Sequence, residues 1–146
     1  MADGFVVRTE TQVAAPAATV FAFLIDPDKL LRWMGNSATM EAHPGGLYLL
    51  QKVAGRNTAR GTFKEVVPVH RLAYTFGWDE NPAVPPGSSL VEIDLVEQSG
   101  GTLVRMTHSG LPTEEDRANH EKGWKHYFER LGTVAAGGKV GPDQKW

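Results

Sequence analysis

Apolar and polar positions alternate from Phe5 to Val13. Phe5, Val7, Thr9, Thr11 and Val13 share one side, while Arg8, Glu10 and Gln12 share the other with Val6. A period of two marks a half-buried strand. After Ala14-Ala15-Pro16 the period lengthens: Val20, Phe21 and Leu24 fall at helical spacing, with Pro16 as the first helical residue. Asp26-Pro27-Asp28 begins a second short helix, with Asp26 as cap and Pro27 in the first turn, leading to Leu30, Leu31, Trp33 and Met34.

From Ala38 to Glu97 the pattern is that of an antiparallel sheet. Gly45-Gly46 opens a strand expected to place Leu47, Leu49, Gln51 and Val53 on one side, and Ala54-Gly55-Arg56-Asn57 is a hairpin loop by composition. Arg60 to Val67 pairs back and Pro68 stops it. Arg71 to Trp78 then sets Leu72, Tyr74, Phe76 and Trp78 against Arg71, Ala73 and Thr75. The stretch from Asp79 to Ser88, with Pro82, Pro85, Pro86 and Gly87, is a long surface loop, because proline cannot donate to a central ladder. Two further strands follow, one with Val91, Ile93 and Leu95 together and one with Val104, Met106 and His108 together.

The last periodic stretch is helical. Trp124, Tyr127, Phe128 and Leu131 fall at i, i+3, i+4 and i+7 and form one aromatic face. Thr113 and Asp116 have capping-box spacing, and Glu114 and Glu115 suit the positive end of the helix dipole. The helix ends either at Gly132 or at Gly137, and residues 137–146 read as a flexible tail. The order is one strand, two short helices, about six antiparallel strands and a long helix, an α+β arrangement over a single domain, 1–146. Only the last helix is long enough to cover the apolar side of the sheet.

Composition narrows the function classes. A chain of 146 residues with 41% hydrophobic and 22% charged residues is an ordinary globular domain. No apolar run approaches the ~20 residues that span a bilayer. No basic start or apolar core of a secretory signal is visible at Met1 to Gly4. The absence of cysteine excludes disulfides, thiolate nucleophiles and cysteine metal sites, and favours a reducing cytoplasm. A formal charge of −2 with no basic cluster disfavours nucleic-acid binding.

The chain resembles the family named for the activator of the 90-kDa heat-shock-protein ATPase, a branch of the START-like (SRPBCC), birch-pollen-allergen-like helix-grip superfamily. The marks are Pro16 with Val20-Phe21, Asp26-Pro27 with Leu30 and Trp33, Pro44-Gly45-Gly46 with Tyr48, and Gly61-Thr62-Phe63 with Glu65 and Pro68. They continue with Arg71-Leu72, Gly101-Thr102 and His108-Ser109-Gly110-Leu111, then His120, Gly123-Trp124 and Leu131. The resemblance implies a helix-grip fold with a cavity between a curved sheet and the long helix, where relatives bind lipids, sterols, hormones or polyketides. Eukaryotic members carry an additional N-terminal domain that grips the chaperone. This chain starts at the helix-grip module, which ranks ligand binding ahead of chaperone regulation.

The expected lining comprises Phe21, Leu24, Trp33, Met34, Leu47, Leu49, Phe63, Tyr74, Phe76, Trp78, Ile93, Met106, His108, His120, Trp124, Tyr127 and Phe128. A usable pocket there would measure about 300 to 1,000 Å³, and otherwise these side chains fill one another's space as core. His108 serves either as a hydrogen-bonding group for a ligand or as a strut to the long helix, and His120, one turn before Trp124, carries the same alternatives. His43, His70 and His126 fall on loops or outer faces. No His pair has metal-ligand spacing, no G-x-S-x-G elbow is present, and neither glycine-rich piece matches a phosphate loop. The expectation is therefore a small hydrophobic or amphipathic ligand, no cofactor, no metal and no catalytic residue, in a monomer or homodimer. A chaperone regulator or other protein-interaction module is the alternative, and a cyclase- or hydratase-like enzyme using the same cavity is a further one.

Overall fold

Seven strands form one antiparallel sheet in the order β1-β7-β6-β5-β4-β3-β2 in the computed structural model, which describes residues 4–144. The strands are β1 (Phe5–Val13), β2 (Ser37–Met40), β3 (Leu47–Val53), β4 (Asn57–Val67), β5 (Arg71–Phe76), β6 (Ser89–Gln98) and β7 (Gly101–Leu111). Two short helices, α1 (Ala17–Ile25) and α2 (Pro27–Leu30), follow β1, and α3 (Glu114–Ala135) follows β7. The helix-grip architecture expected from the alternation is present. The first and last strands in the sequence are neighbours, β1 running antiparallel to β7 with Val7 opposite His108 and Thr9 opposite Met106.

The local starts follow the capping chemistry. Asp26 accepts at Oδ1 from the backbone N–H of Asp28 (2.9 Å) and Lys29 (3.4 Å), with Pro27 behind it where no N–H is required. Pro16 stands one residue earlier than expected, as the N-cap of α1 and not its first helical residue. At α3, Thr113 Oγ1 accepts from the N–H of Asp116 (3.0 Å) and donates its proton to Asp116 Oδ2 (2.8 Å). The Asp116 side chain therefore holds the cap hydroxyl instead of reaching back to the cap backbone as a longer Glu would. Gly132 lies inside α3. The helix ends in a Schellman motif, with Gly137 at φ 98°, its N–H on Val134 O (3.0 Å) and the N–H of Gly138 on Thr133 O (2.9 Å).

One strand is inverted. On β3 the buried side chains are Tyr48 and Leu50, while Leu47 and Leu49 are only partly buried. Four consecutive apolar residues, Leu47 to Leu50, give no period-two contrast, and a slip of one residue exchanges the faces. Val53 returns to the interior because the pairing with β4 shifts register between Leu50 and Val53, where Lys52 and Ala54 adopt φ 62° and 54°.

The loop from 79 to 88 lies outside the sheet as expected, but Val84 plugs it into the core and accepts at its carbonyl from the Trp78 N–H (2.8 Å). Residues 137–144, expected as a flexible tail, run back over the body: Arg130 Nη2 donates to Gly141 O (2.8 Å), and Asp143 is hydrogen-bonded between the α2–β2 connection and the β3–β4 turn. These contacts are long-range in sequence and leave no local pattern. Residues 1–3 and 145–146, where the signal and tail readings extend, lie outside the described residues.

Candidate ligand pocket at the mouth of the helix grip

α3 is fastened to the sheet through a buried polar chain. Trp124 Nε1 donates to His108 Nδ1 at 3.0 Å. On the other side of the ring, His108 Nε2 and Ser89 Oγ are 2.8 Å apart, and Ser89 gives its single hydroxyl proton to Phe76 O at 2.7 Å. Ser89 must therefore accept from His108, so Nε2 carries the ring proton and the imidazole is neutral. His108 is completely buried. Burial, reinforced by the neighbouring His120, pushes its pKa down to about 3. With both nitrogens engaged inside the protein, the geometry of His108 is that of the strut.

His120 repeats the arrangement nearer the surface. Trp78 Nε1 donates to His120 Nε2 (3.0 Å), and His120 Nδ1 donates to Asp116 O (2.7 Å), again a neutral ring. Desolvation lowers its pKa, with the Asp116 carbonyl opposing. The imidazoles of His108 and His120 meet edge to face, 5.2 Å between centroids, and Phe76 touches His108, Trp78 and Trp124. The result is an aromatic wall running from the sheet to α3.

Beside this wall lies a cavity of about 420 Å³, lined by Met34, Phe76, Trp78, His120, Trp124 and Tyr127 among the expected residues. The others take different places. Phe21, Leu24, Trp33, Phe63, Tyr74, Ile93, Met106 and Phe128 are packed in the core. There Trp33 Nε1 is held by Phe23 O (3.0 Å) and Tyr74 stacks on Tyr48 (4.1 Å). Leu47 and Leu49, on the inverted strand, do not face this cavity. Phe128 packs against Trp33 and Trp124, with ring centroids 6.3 and 5.4 Å away, and the vacancy lies beside the first half of α3, from Asp116 to Tyr127.

The rest of the lining was missed: Val53, Ala54, Arg56 and Asn57 from the β3–β4 turn, Asn81 from the following loop, and Asp116, Asn119, Lys122 and Gly123 from α3. The helical part was accessible to sequence reasoning. Asp116, Asn119, His120, Gly123, Trp124 and Tyr127 form a stripe at intervals of three and four, continuing the aromatic face toward the helix start. Gly123 has no side chain to fill the space beside Trp124. The turn residues carried no such periodic signal.

The floor is apolar and the rim polar, a combination suited to holding a greasy body and orienting a polar end. Among the described residues no group of three or more His, Asp or Glu side chains is placed to hold a metal ion, and no helix is long and apolar enough to cross a membrane.

A curved sheet closed by one long helix, with a pocket at their open end, defines a helix-grip protein of the START-like class. Residues 14–136 match the family model described as Activator of Hsp90 ATPase homolog 1-like protein, and the chain belongs to that family. It is similar to an AHSA1-like protein from Rhizobium etli, whose solution structure shares 61% identity over 100% of this chain and 93% of that one, with a TM-score of 0.77. The solution structure of the Aha1 dimer from Colwellia psychrerythraea has the same fold at 15% identity, covering 93% of this chain and 99% of that one, TM-score 0.81. DynU16, from the dynemicin biosynthetic locus, shares the fold at 22% identity over 95% of this chain and 49% of that one, TM-score 0.80. No protein of curated function matches the chain.

Proposed function

We propose that this chain binds a small hydrophobic or amphipathic molecule in the pocket between α3, the β3–β4 turn and the Trp78–Asn81 segment, and that it does so in the cytoplasm without catalysing a reaction. The observation that carries this reading is the vacancy of about 420 Å³ beside Trp78 and Trp124, floored by Met34, Val53 and Phe76. That volume suits a small molecule, and removal of ligand apolar surface from water contributes about 25 cal/mol per Å². Asn57, Asn81 and Asn119 on the rim supply hydrogen bonds that fix its orientation. His108 and His120 engage both of their ring nitrogens within the protein, which supports a binding role over acid–base chemistry.

The test is a thermal-shift and tryptophan-fluorescence screen of lipids, aromatic polyketides and hormones. Binding in at least one class, weakened by Gly123→Leu in the pocket wall, is expected. Silence in every class removes the reading. The family description favours a second reading, regulation of a chaperone ATPase through the outer surface, which predicts that adding this chain raises the chaperone's ATP turnover.

A further inference from the structure

Asp143 occupies a seat built for a carboxylate. Its Oδ2 accepts from the N–H of Gly35 (2.7 Å) and the N–H of Ala54 (3.2 Å), and Tyr127 Oη donates to Oδ1 (2.8 Å) and Oδ2 (3.0 Å). The Ala54 N–H is shared with Tyr127 Oη at 2.9 Å. Gly35 and Ala54 both have left-handed backbones, φ 73° and 54°. For alanine that conformation is costly, and the surrounding structure has to hold it.

The seat and the pocket share their walls. Ala54 and Tyr127 line the pocket directly, and Met34, the residue before Gly35, lines it as well. Arg56, exposed and without a side-chain hydrogen bond or ion pair among the described residues, stands on the same lining and makes it attractive to anions. The acidic side chain on the lining, Asp116, is engaged by the Thr113 hydroxyl at 2.8 Å. Asp143 comes from the segment beyond α3, which is fastened nearby by Arg130 on Gly141 O (2.8 Å).

Resting on the ligand-binding reading above, we infer that the pocket's ligand is a carboxylic acid with an apolar body, whose carboxylate takes the seat now filled by Asp143, so that the C-terminal segment acts as an intramolecular competitor. A tethered competitor is present at high effective concentration and lowers the apparent affinity by the fraction of time it leaves the seat open. Charge-assisted hydrogen bonds to two N–H groups and a phenol discriminate an acid from its uncharged amide.

The experiment titrates the full chain, Asp143→Ala and Asp143→Asn with a panel of aromatic and aliphatic monocarboxylates, naphthalene-2-carboxylate among them. The matching carboxamides are run in parallel, and near-ultraviolet circular dichroism checks that each variant is folded. If Asp143 holds the seat about nine-tenths of the time, both substitutions raise acid affinity about tenfold and leave amide affinity unchanged. The backbone amide resonances of Gly35 and Ala54 then move with the acid. Equal gains for acid and amide, or no gain for either, overturn the carboxylate assignment while leaving the pocket as a ligand site. Absence of binding by both series to all three proteins overturns the pocket reading and this one together.

Discussion

Trp124 Nε1 donates a hydrogen bond to Nδ1 of His108 at 3.0 Å, and this bond, made in a buried setting, joins the long helix to β7, the strand beside the β1 edge of the sheet. The same imidazole passes its own proton to Ser89, and Ser89 to Phe76 O. Each member satisfies the next, so the chain contributes stability only while it is complete.

Removing the first donor tests that dependence. Trp124→Phe keeps most of the ring packing but leaves a buried imidazole nitrogen unpaired, with an expected loss of about 1–3 kcal/mol in urea unfolding. Trp78→Phe, which deprives the partly exposed His120, is expected to cost less. Equal losses would mean that the buried strut has no special weight.

The neutral state of His108 makes stability depend on pH. Unfolded, the imidazole protonates below its ordinary value of 6.5, whereas folded it resists until about 3. Between those limits the unfolded chain binds the extra proton, so stability rises with pH across the window and falls on acidification, by about 1.4 kcal/mol per unit once well below the unfolded pKa. From pH 7 to pH 5 the loss is about 2 kcal/mol from this residue, and His120, shifted in the same direction, adds to it. The carboxylates held down by arginine, Asp79, Glu114 and Glu121, lose their contribution in a more acid range. His108→Gln is expected to flatten the slope between pH 7 and 5. An unchanged slope would show that His108 takes up its proton alike in the folded and the unfolded chain, with no resistance from burial.

The inverted face of β3 is open to a simple pair of substitutions. Leu50→Ala removes a fully buried side chain and is expected to cost about 2–5 kcal/mol, whereas Leu49→Ala, partly exposed, costs less than about 1 kcal/mol. Chemical denaturation distinguishes the two, and the reverse ranking would restore the face expected from Leu47 and Leu49.

Two glycines near the end of α3 have opposite expectations. A Cβ at Gly132 meets nothing within 4 Å, and Gly132→Ala in the helix raises stability by about 0.5–1 kcal/mol. Gly137, at φ 98°, supports the Schellman turn, so Gly137→Ala lowers it by about 1 kcal/mol. Paired melting curves check both signs.

The architecture was legible wherever chemistry and periodicity agreed. Val91, Ile93 and Leu95, and Val104, Met106 and His108, alternate with polar neighbours and lie buried as expected, and Asp26-Pro27 and Thr113 start helices through caps visible in the sequence. Legibility failed at β3, where an unbroken apolar run offers no contrast between faces. It also failed at the pocket. Of the aromatic side chains expected at the pocket, Phe76, Trp78, Trp124 and Tyr127 border the cavity, but whether a large side chain fills space or borders it depends on neighbours distant in sequence. Phe128 and Trp33 pack together at 6.3 Å while Trp124, one turn away, faces a vacancy. Asp143 was invisible for the same reason, since its partners Gly35 and Ala54 are far along the chain.

The most direct measurement follows the indole N–H resonances while ligands are added to ¹⁵N-labelled protein. Occupation of the pocket shifts the signals of Trp78 and Trp124, which border it, and leaves that of Trp33, bonded to Phe23 O in the core, in place. Ligand binding that moves Trp33 while Trp78 and Trp124 stay fixed, or a full panel that moves none of them, contradicts the account.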